Sequence, residues 1–167
     1  MTQESKRILV IEDSELHQIS AREQFKEYIL EIAVDYESGV KAIEKVPDVM
    51  LTDLMMPKGN ANTLSPEGMQ YLFDEFPYGF PLALLAAKQG VKYIGVVTDI
   101  NHHNHPMSAC LDVISGAYWR KEEAKNSIYR INNSLLGIFH APFIEENERK
   151  KDWKSVLEIL IESGGKQ

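Results

Sequence analysis

Asp48-Val49-Met50-Leu51-Thr52-Asp53-Leu54-Met55-Met56-Pro57 is an apolar run that ends on a lone carboxylate and is stopped by a proline. Val49, Met50, Leu51 and Leu54 suit a strand covered on both faces, and Asp53 does not, so the run reads as a buried parallel strand that delivers Asp53 to its carboxyl end. In open α/β sheets that end is where ligands bind. Arg7-Ile8-Leu9-Val10-Ile11 stops in the same way on Glu12-Asp13. Two adjacent acids after one strand and a single acid after another form a set of hard oxygen ligands of the kind that Mg²⁺ prefers. A further strand, Tyr93-Ile94-Gly95-Val96-Val97, ends on Thr98.

With Ile11-Glu12-Asp13, Asp53-Leu54-Met55-Met56-Pro57, Val97-Thr98 and Tyr118-Trp119-Arg120-Lys121 in this order, the sequence resembles the receiver domain of two-component response regulators. The resemblance implies that Asp53 is the phosphoacceptor and that Glu12, Asp13, Asp53 and the backbone carbonyl of Met55 hold Mg²⁺. It also implies that Thr98 and Lys121 contact the phosphoryl group, and that Thr98 and Tyr118 form the switch. Where the family has Lys-Pro this chain has Lys121-Glu122, which removes the usual source of a cis peptide and makes Arg120 a reserve for Lys121.

The chain has 167 residues, the length of one domain with a sizeable core. Lys and Arg total 18 against 25 for Asp and Glu, a net charge of -7 without a basic stripe, which disfavours direct nucleic-acid binding. The single cysteine, Cys110, excludes an internal disulfide and fits a reducing compartment; it is expected to pack in a helix. No long apolar segment or leader is evident, so the expectation is a cytoplasmic protein that does not enter a membrane.

Around these motifs, Ser14 to Tyr28 has Leu16, Ile19, Phe25 and Tyr28 near helical spacing, residues 31–36 read as a short strand, and Ser38 to Lys45 as a second helix. Strands alternating with helices favour a parallel sheet covered on both faces. The expected fold is therefore α/β, a flavodoxin-like doubly wound sandwich with a five-stranded parallel sheet of order 2-1-3-4-5. Its last strand is expected between Gly116 and Tyr118, and its last helix over Asn126 to Ile138, where Ile128, Ile131, Leu135 and Ile138 recur at helical spacing. The receiver-like unit then spans 1–140. Residues 141–167 hold a charged, solvated link from Glu145 to Lys151 and an extra C-terminal helix, whose Trp153, Val156, Leu157, Leu160 and Ile161 stripe needs this domain's own surface or a partner's.

Two segments depart from the family pattern. Residues 58–78 intervene before Gly79, the glycine expected to open the next helix, and include a short helix over Glu67 to Phe76. This insertion is either a lid beside Asp53 or a surface insertion of little consequence. After Thr98 stands Asp99, where receivers carry a small residue, followed by His102, His103 and His105. These histidines offset the added negative charge, bind a transition metal with Asp99, or form only a polar turn.

The reading that follows is a receiver that takes a phosphoryl group on Asp53, with Mg²⁺, from a histidine kinase or phosphotransfer protein. It then signals to a downstream protein, with homodimerisation possible. Its enzymatic activity would be at most self-phosphorylation and autodephosphorylation. The alternatives are a pseudo-receiver acting in docking or oligomerisation, and a small metal-dependent hydrolase using the histidine loop.

Overall fold

The computed structural model describes residues 6–100, 104–115, 121–140, 144 and 149–165, without the side chains at 121–123. Tyr118, Arg120, His102 and His103, and the strand expected at 116–118, lie outside the described residues.

Short apolar runs bounded by turns make the sheet: β1 Arg7–Ile11, β2 Ile29–Ala33, β3 Val49–Thr52 and β4 Tyr93–Thr98. Helices α1 Glu15–Gln24, α2 Tyr36–Ile43, α3 Pro66–Met69 and α4 Gly79–Gln89 alternate with them. Beyond β4 come α5 Pro106–Leu111, α6 Lys121–Asn126, β5 Ile128–Ile131, β6 Ser134–His140 and α7 Trp153–Gly164. Among the described residues the sheet has six strands in the order β2-β1-β3-β4-β6-β5. Its first five positions are parallel neighbours, and β5 pairs antiparallel on β6. This is the flavodoxin-like doubly wound order, with β6 as the fifth parallel strand and β5 added outside it.

The fifth parallel strand is thus Ser134–His140, and the helix expected over Asn126 to Ile138 is a β-hairpin instead. Ile128, Ile131, Leu135 and Ile138 satisfy helical spacing. The two-residue Asn132-Asn133 link resolves the ambiguity in favour of strands, because Asn132 adopts φ 53°, a conformation asparagine tolerates and a continuing helix cannot use. One consequence is a reassignment of α7. It follows the fifth parallel strand, so it is the closing helix of the doubly wound plan rather than an addition to it.

Alternation along the strands separates two apolar layers. On one face Leu9, Ile11, Met50, Ile94, Val96 and Ile138 pack against α2 and α4. On the other, Ile8, Val10, Val49, Leu51, Val97 and Phe139 meet Phe25 of α1 and Trp153, Val156, Leu157 and Leu160 of α7. The stripe on α7 is therefore covered by the chain's own sheet. In α1 the buried residues are His17, Ser20 and Ala21, while Leu16 and Ile19 are exposed, the reverse of what the apolar spacing suggests.

The insertion is pinned at both ends. At its start, the Lys58 ammonium pairs with Glu37, the Tyr36 and Glu37 amides donate to the Pro57 and Lys58 carbonyls, and Gly59 at φ 99° lies against Asp35, where a Cβ would come within 2.4 Å of the carboxylate carbon. At its neck, Met56 and Phe76 exchange backbone hydrogen bonds of 3.2 and 3.1 Å. Helix in this segment is limited to Pro66–Met69, set by proline in its first turn and the Ser65 cap, and Phe73 is exposed rather than packed. Cys110 is also exposed.

Candidate functional site

Parallel register brings the strand ends together. Ile11 pairs with Thr52 and Thr52 with Val96, so Glu12, Asp53 and Val97 stand at one level and Thr98 ends β4 one residue further. Asp53 is fixed by its backbone, its amide donating to the Ile11 carbonyl at 2.8 Å, and by its side chain, Oδ1 accepting from the Leu54 amide at 2.8 Å. Gly79 passes directly over this turn. A Cβ there would come within 2.4 Å of the Asp53 carbonyl oxygen, so only glycine allows α4 to begin so close to the strand end.

Glu12, Asp13 and Asp53 each offer a carboxylate oxygen, all within 4.8 Å of one another. That donor set suits a hard divalent cation such as Mg²⁺. Met55 is buried just beyond Asp53, beside the neck of the insertion. Thr98 is buried, and its hydroxyl oxygen accepts from the Ile100 amide at 3.2 Å.

Among the described residues, the cation placed between these acids is Lys151. Its ammonium lies 2.6 Å from Glu12 Oε2, 3.0 Å from Asp53 Oδ1 and 3.9 Å from Asp99 Oδ1, and the side chain is entirely buried. Lys151 belongs to the segment expected as a solvated link, while Lys121, the lysine expected in the site, begins α6 and its side chain lies outside what the structure describes. Helix α1 holds the Lys151 backbone. Its amide donates to His17 Nδ1 at 3.3 Å, and its carbonyl accepts from Ser20 Oγ at 2.8 Å and Gln24 Nε2 at 2.9 Å. The next residues lock the segment in place: Asp152 caps α7 by accepting from the Ser155 amide, and the Trp153 indole donates to the His17 carbonyl at 3.0 Å.

His17 also reaches Asp99, with Nε2 3.2 Å from Oδ2. Because Nδ1 accepts from the Lys151 amide, the proton of a neutral ring sits on Nε2 and is donated to Asp99. This bond, together with Lys151, outweighs desolvation and draws the Asp99 carboxyl down to about 2. Burial pushes Glu12 up to about 8 against the opposing pull of Lys151, and burial likewise raises Asp53. For Lys151 burial acts downward, but Asp53, Glu12 and Asp99 together outweigh it and keep the ammonium charged. At the rim, burial and the neighbouring Asp13 raise Glu75, which the neck of the insertion carries toward the cluster.

His105 has a local role. Its Nδ1 accepts from the Met107 amide at 3.0 Å and so caps α5. Among the described residues, the grouping of potential ligands able to surround a metal ion is Glu12, Asp13 and Asp53, with no histidine in it.

Lys151 and His17 are the residues that sequence reasoning missed. The usable signal was Lys151-Asp152-Trp153: a lysine, then a helix-capping aspartate, then the first residue of the apolar stripe. Nothing in the pattern marks His17, because its role depends on a residue 134 positions away.

No protein-family model matches the chain, and no curated protein sequence matches it. Several solved structures do. The N-terminal domain of a response regulator/sensory box/GGDEF three-domain protein from Carboxydothermus hydrogenoformans is 15% identical, over 95% of this chain and 93% of that one, with a TM-score of 0.47. The signal receiver domain of the NarL response regulator from Mycobacterium tuberculosis is 14% identical, over 97% and 98%, with a TM-score of 0.48. The response regulator domain of Thermotoga maritima CheB is 18% identical, over 96% and 94%, with a TM-score of 0.47. The strand order of this chain, with its first five positions parallel, is by itself that of a flavodoxin-like doubly wound sandwich.

Proposed function

We propose that the chain is a receiver that accepts a phosphoryl group on Asp53 from a phosphohistidine donor on a kinase or phosphotransfer protein, and that it signals through changed protein contacts. The observation that carries this reading is Asp53 at the carboxyl end of β3, with a buried ammonium 3.0 Å from Oδ1 and two further acids beside it. The Leu54 amide and Lys151 both engage Oδ1, so Oδ2 is the oxygen offered to phosphorus. As Oδ2 forms its bond to phosphorus, the bond from phosphorus to the donor nitrogen breaks, and the electron pair stays on the donor's imidazole. Catalysis of such a loose transfer is chiefly positioning and charge stabilisation. Lys151 supplies fixed positive charge to the equatorial oxygens, and Thr98 a hydroxyl at the end of the neighbouring strand. Glu12, Asp13, Asp53 and the Met55 carbonyl would hold Mg²⁺, which when bound neutralises phosphoryl charge.

The test is intact-mass measurement after incubation with acetyl phosphate and Mg²⁺. Wild type should gain one phosphoryl group and Asp53→Asn none. A folded wild type that gains nothing, under conditions that label an ordinary receiver, overturns the reading.

A second reading, a docking module that no longer exchanges phosphate, is favoured by one observation. Lys151 already bridges Glu12 and Asp53 as an internal counter-ion, so the site is electrostatically served without an added cation. The same experiment separates the two readings.

A further inference from the structure

Three of the contacts that shape the site converge on His17. Its Nδ1 accepts the Lys151 amide, its Nε2 donates to Asp99, and its carbonyl accepts the Trp153 indole. The ring is buried and its tautomer is set by the Lys151 amide, so the N–H that it presents to Asp99 has a fixed direction.

Asp99 is the less constrained partner. It follows the end of β4, and its side chain is 36% exposed. Asp99 Oδ1 stands 3.9 Å from the Lys151 ammonium, too far for a hydrogen bond, although the two charges are opposite and the cation already serves two other acids. Left to itself, a carboxylate beside an ammonium in a poorly solvated site closes that gap. Among the described residues, the side-chain contact that opposes closure is the 3.2 Å bond from His17 to Asp99 Oδ2, beside a hydrogen bond to the backbone of Asp99 itself.

We infer that His17 is a positioning residue that holds the Asp99 carboxylate away from Lys151, and so keeps the Lys151 ammonium on Asp53, where the phosphoryl group is to be received. With His17 removed, Asp99 moves onto the ammonium as a third full partner. The ammonium is drawn off Asp53 Oδ1, and the charge available to the incoming phosphoryl group falls. The functional consequence rests on the reading of Asp53 as phosphoacceptor; the geometric one does not.

Two near-isosteric variants separate this role from simple support of the Lys151 backbone. His17→Asn keeps an acceptor close to Nδ1 for the Lys151 amide but cannot reach Asp99. His17→Gln reaches Asp99 with an amide N–H but gives up the Lys151 amide. The expected result is that His17→Gln is phosphorylated by acetyl phosphate and Mg²⁺ nearly as fast as wild type. His17→Asn should be slower by about 10- to 100-fold, the scale on which misplacement of a catalytic group acts, and adding Asp99→Ala should restore most of its rate. The opposite ranking, or a slow His17→Asn protein that Asp99→Ala fails to rescue, overturns the proposal.

A second arm needs no phosphate chemistry: the ¹H–¹⁵N signal of the Lys151 ammonium. It should shift in His17→Asn, return toward its wild-type position when Asp99→Ala is added, and stay in place in His17→Gln. A Lys151 signal unchanged in His17→Asn likewise overturns the proposal. If wild type takes no phosphoryl group at all, it is the assignment of Asp53 that falls, and this signal alone decides the role of His17.

Discussion

Lys151 Nζ lies 2.6 Å from Glu12 Oε2 across 139 residues of sequence, and both side chains are withdrawn from solvent. Together with Asp53 this makes two buried acids around one buried cation, an arrangement that carries one negative charge in excess of neutrality when both acids are ionised. Burial is the larger cause of the upward shifts of Glu12 and Asp53, and repulsion from the neighbouring acids, Asp53 on Glu12 and Asp99 on Asp53, adds to it.

A first prediction separates the two lysines. Lys151→Ala should reduce the rate of Asp53 phosphorylation by about 10²- to 10³-fold, the usual cost of removing one preorganised charge-stabilising donor. Lys121→Ala should leave it unchanged. Rates from acetyl phosphate, followed by intact mass, check this, and a large loss in Lys121→Ala with none in Lys151→Ala would return the role to Lys121.

A second concerns pH. Between the ordinary value of 4.5 and about 8, folded Glu12 retains a proton that the unfolded chain has released. The folded state then binds more protons, so this contribution to stability is present at low pH and is lost as pH rises toward 8. Asp53 acts in the same direction, while Asp99, drawn down to about 2, contributes stability that is lost only as pH falls below its ordinary range. Denaturant midpoints of the metal-free protein should decline from about pH 6 to pH 8.5. Mg²⁺ should bind with release of a proton and with affinity that climbs over the same interval, because its carboxylate ligands must be ionised. Calorimetric titration in buffers of different ionisation enthalpy measures the release; binding without it would show Glu12 and Asp53 already ionised.

Trp153→Ala should destabilise the fold by about 3–5 kcal/mol, the range for deleting a large buried aromatic side chain. The indole is fully buried, donates to the His17 carbonyl and lies 5.2 Å, centroid to Nζ, from Lys151. Urea denaturation checks the magnitude, and a loss below about 1 kcal/mol would mean that α7 contributes little to the core.

Gly79→Ala should impair phosphorylation and stability together. The added methyl meets the Asp53 carbonyl oxygen at 2.4 Å, so either α4 or the Asp53 turn must shift. The expected destabilisation is about 1–3 kcal/mol, the cost of overpacking against a rigid neighbour. Gly90→Ala, at φ 90° with open space around it, serves as a comparison that strains only its own backbone.

The four strands that carry or flank the acids were legible in the sequence because each is a short apolar run ended by an acid, a turn or Thr98, and period and punctuation agree. Legibility ended where periodicity became degenerate. Ile128, Ile131, Leu135 and Ile138 fit a helix as well as a hairpin, and the choice depends on one asparagine at positive φ. That single ambiguity displaced the fifth parallel strand. Helix α1 misled for another reason. Hydrophobicity put Leu16 and Ile19 inside, but His17, Ser20 and Gln24 are turned inward to hold the backbone of Lys151, a demand that exists only in three dimensions.

The separation of Glu12 and Lys151 also orders the events of folding. Strands β1, β3 and β4 can pair through connections of modest length, but the cation reaches its acids only when the segment after β6 docks on α1, closing a loop of nearly the whole chain. Until then Glu12 and Asp53 sit on a nascent sheet without a counter-charge, and they remain protonated or hydrated. By its sequence separation the capture of Lys151 is expected late in folding, so that, on the proposed function, competence for phosphoryl transfer and completion of the native fold would arrive in the same step.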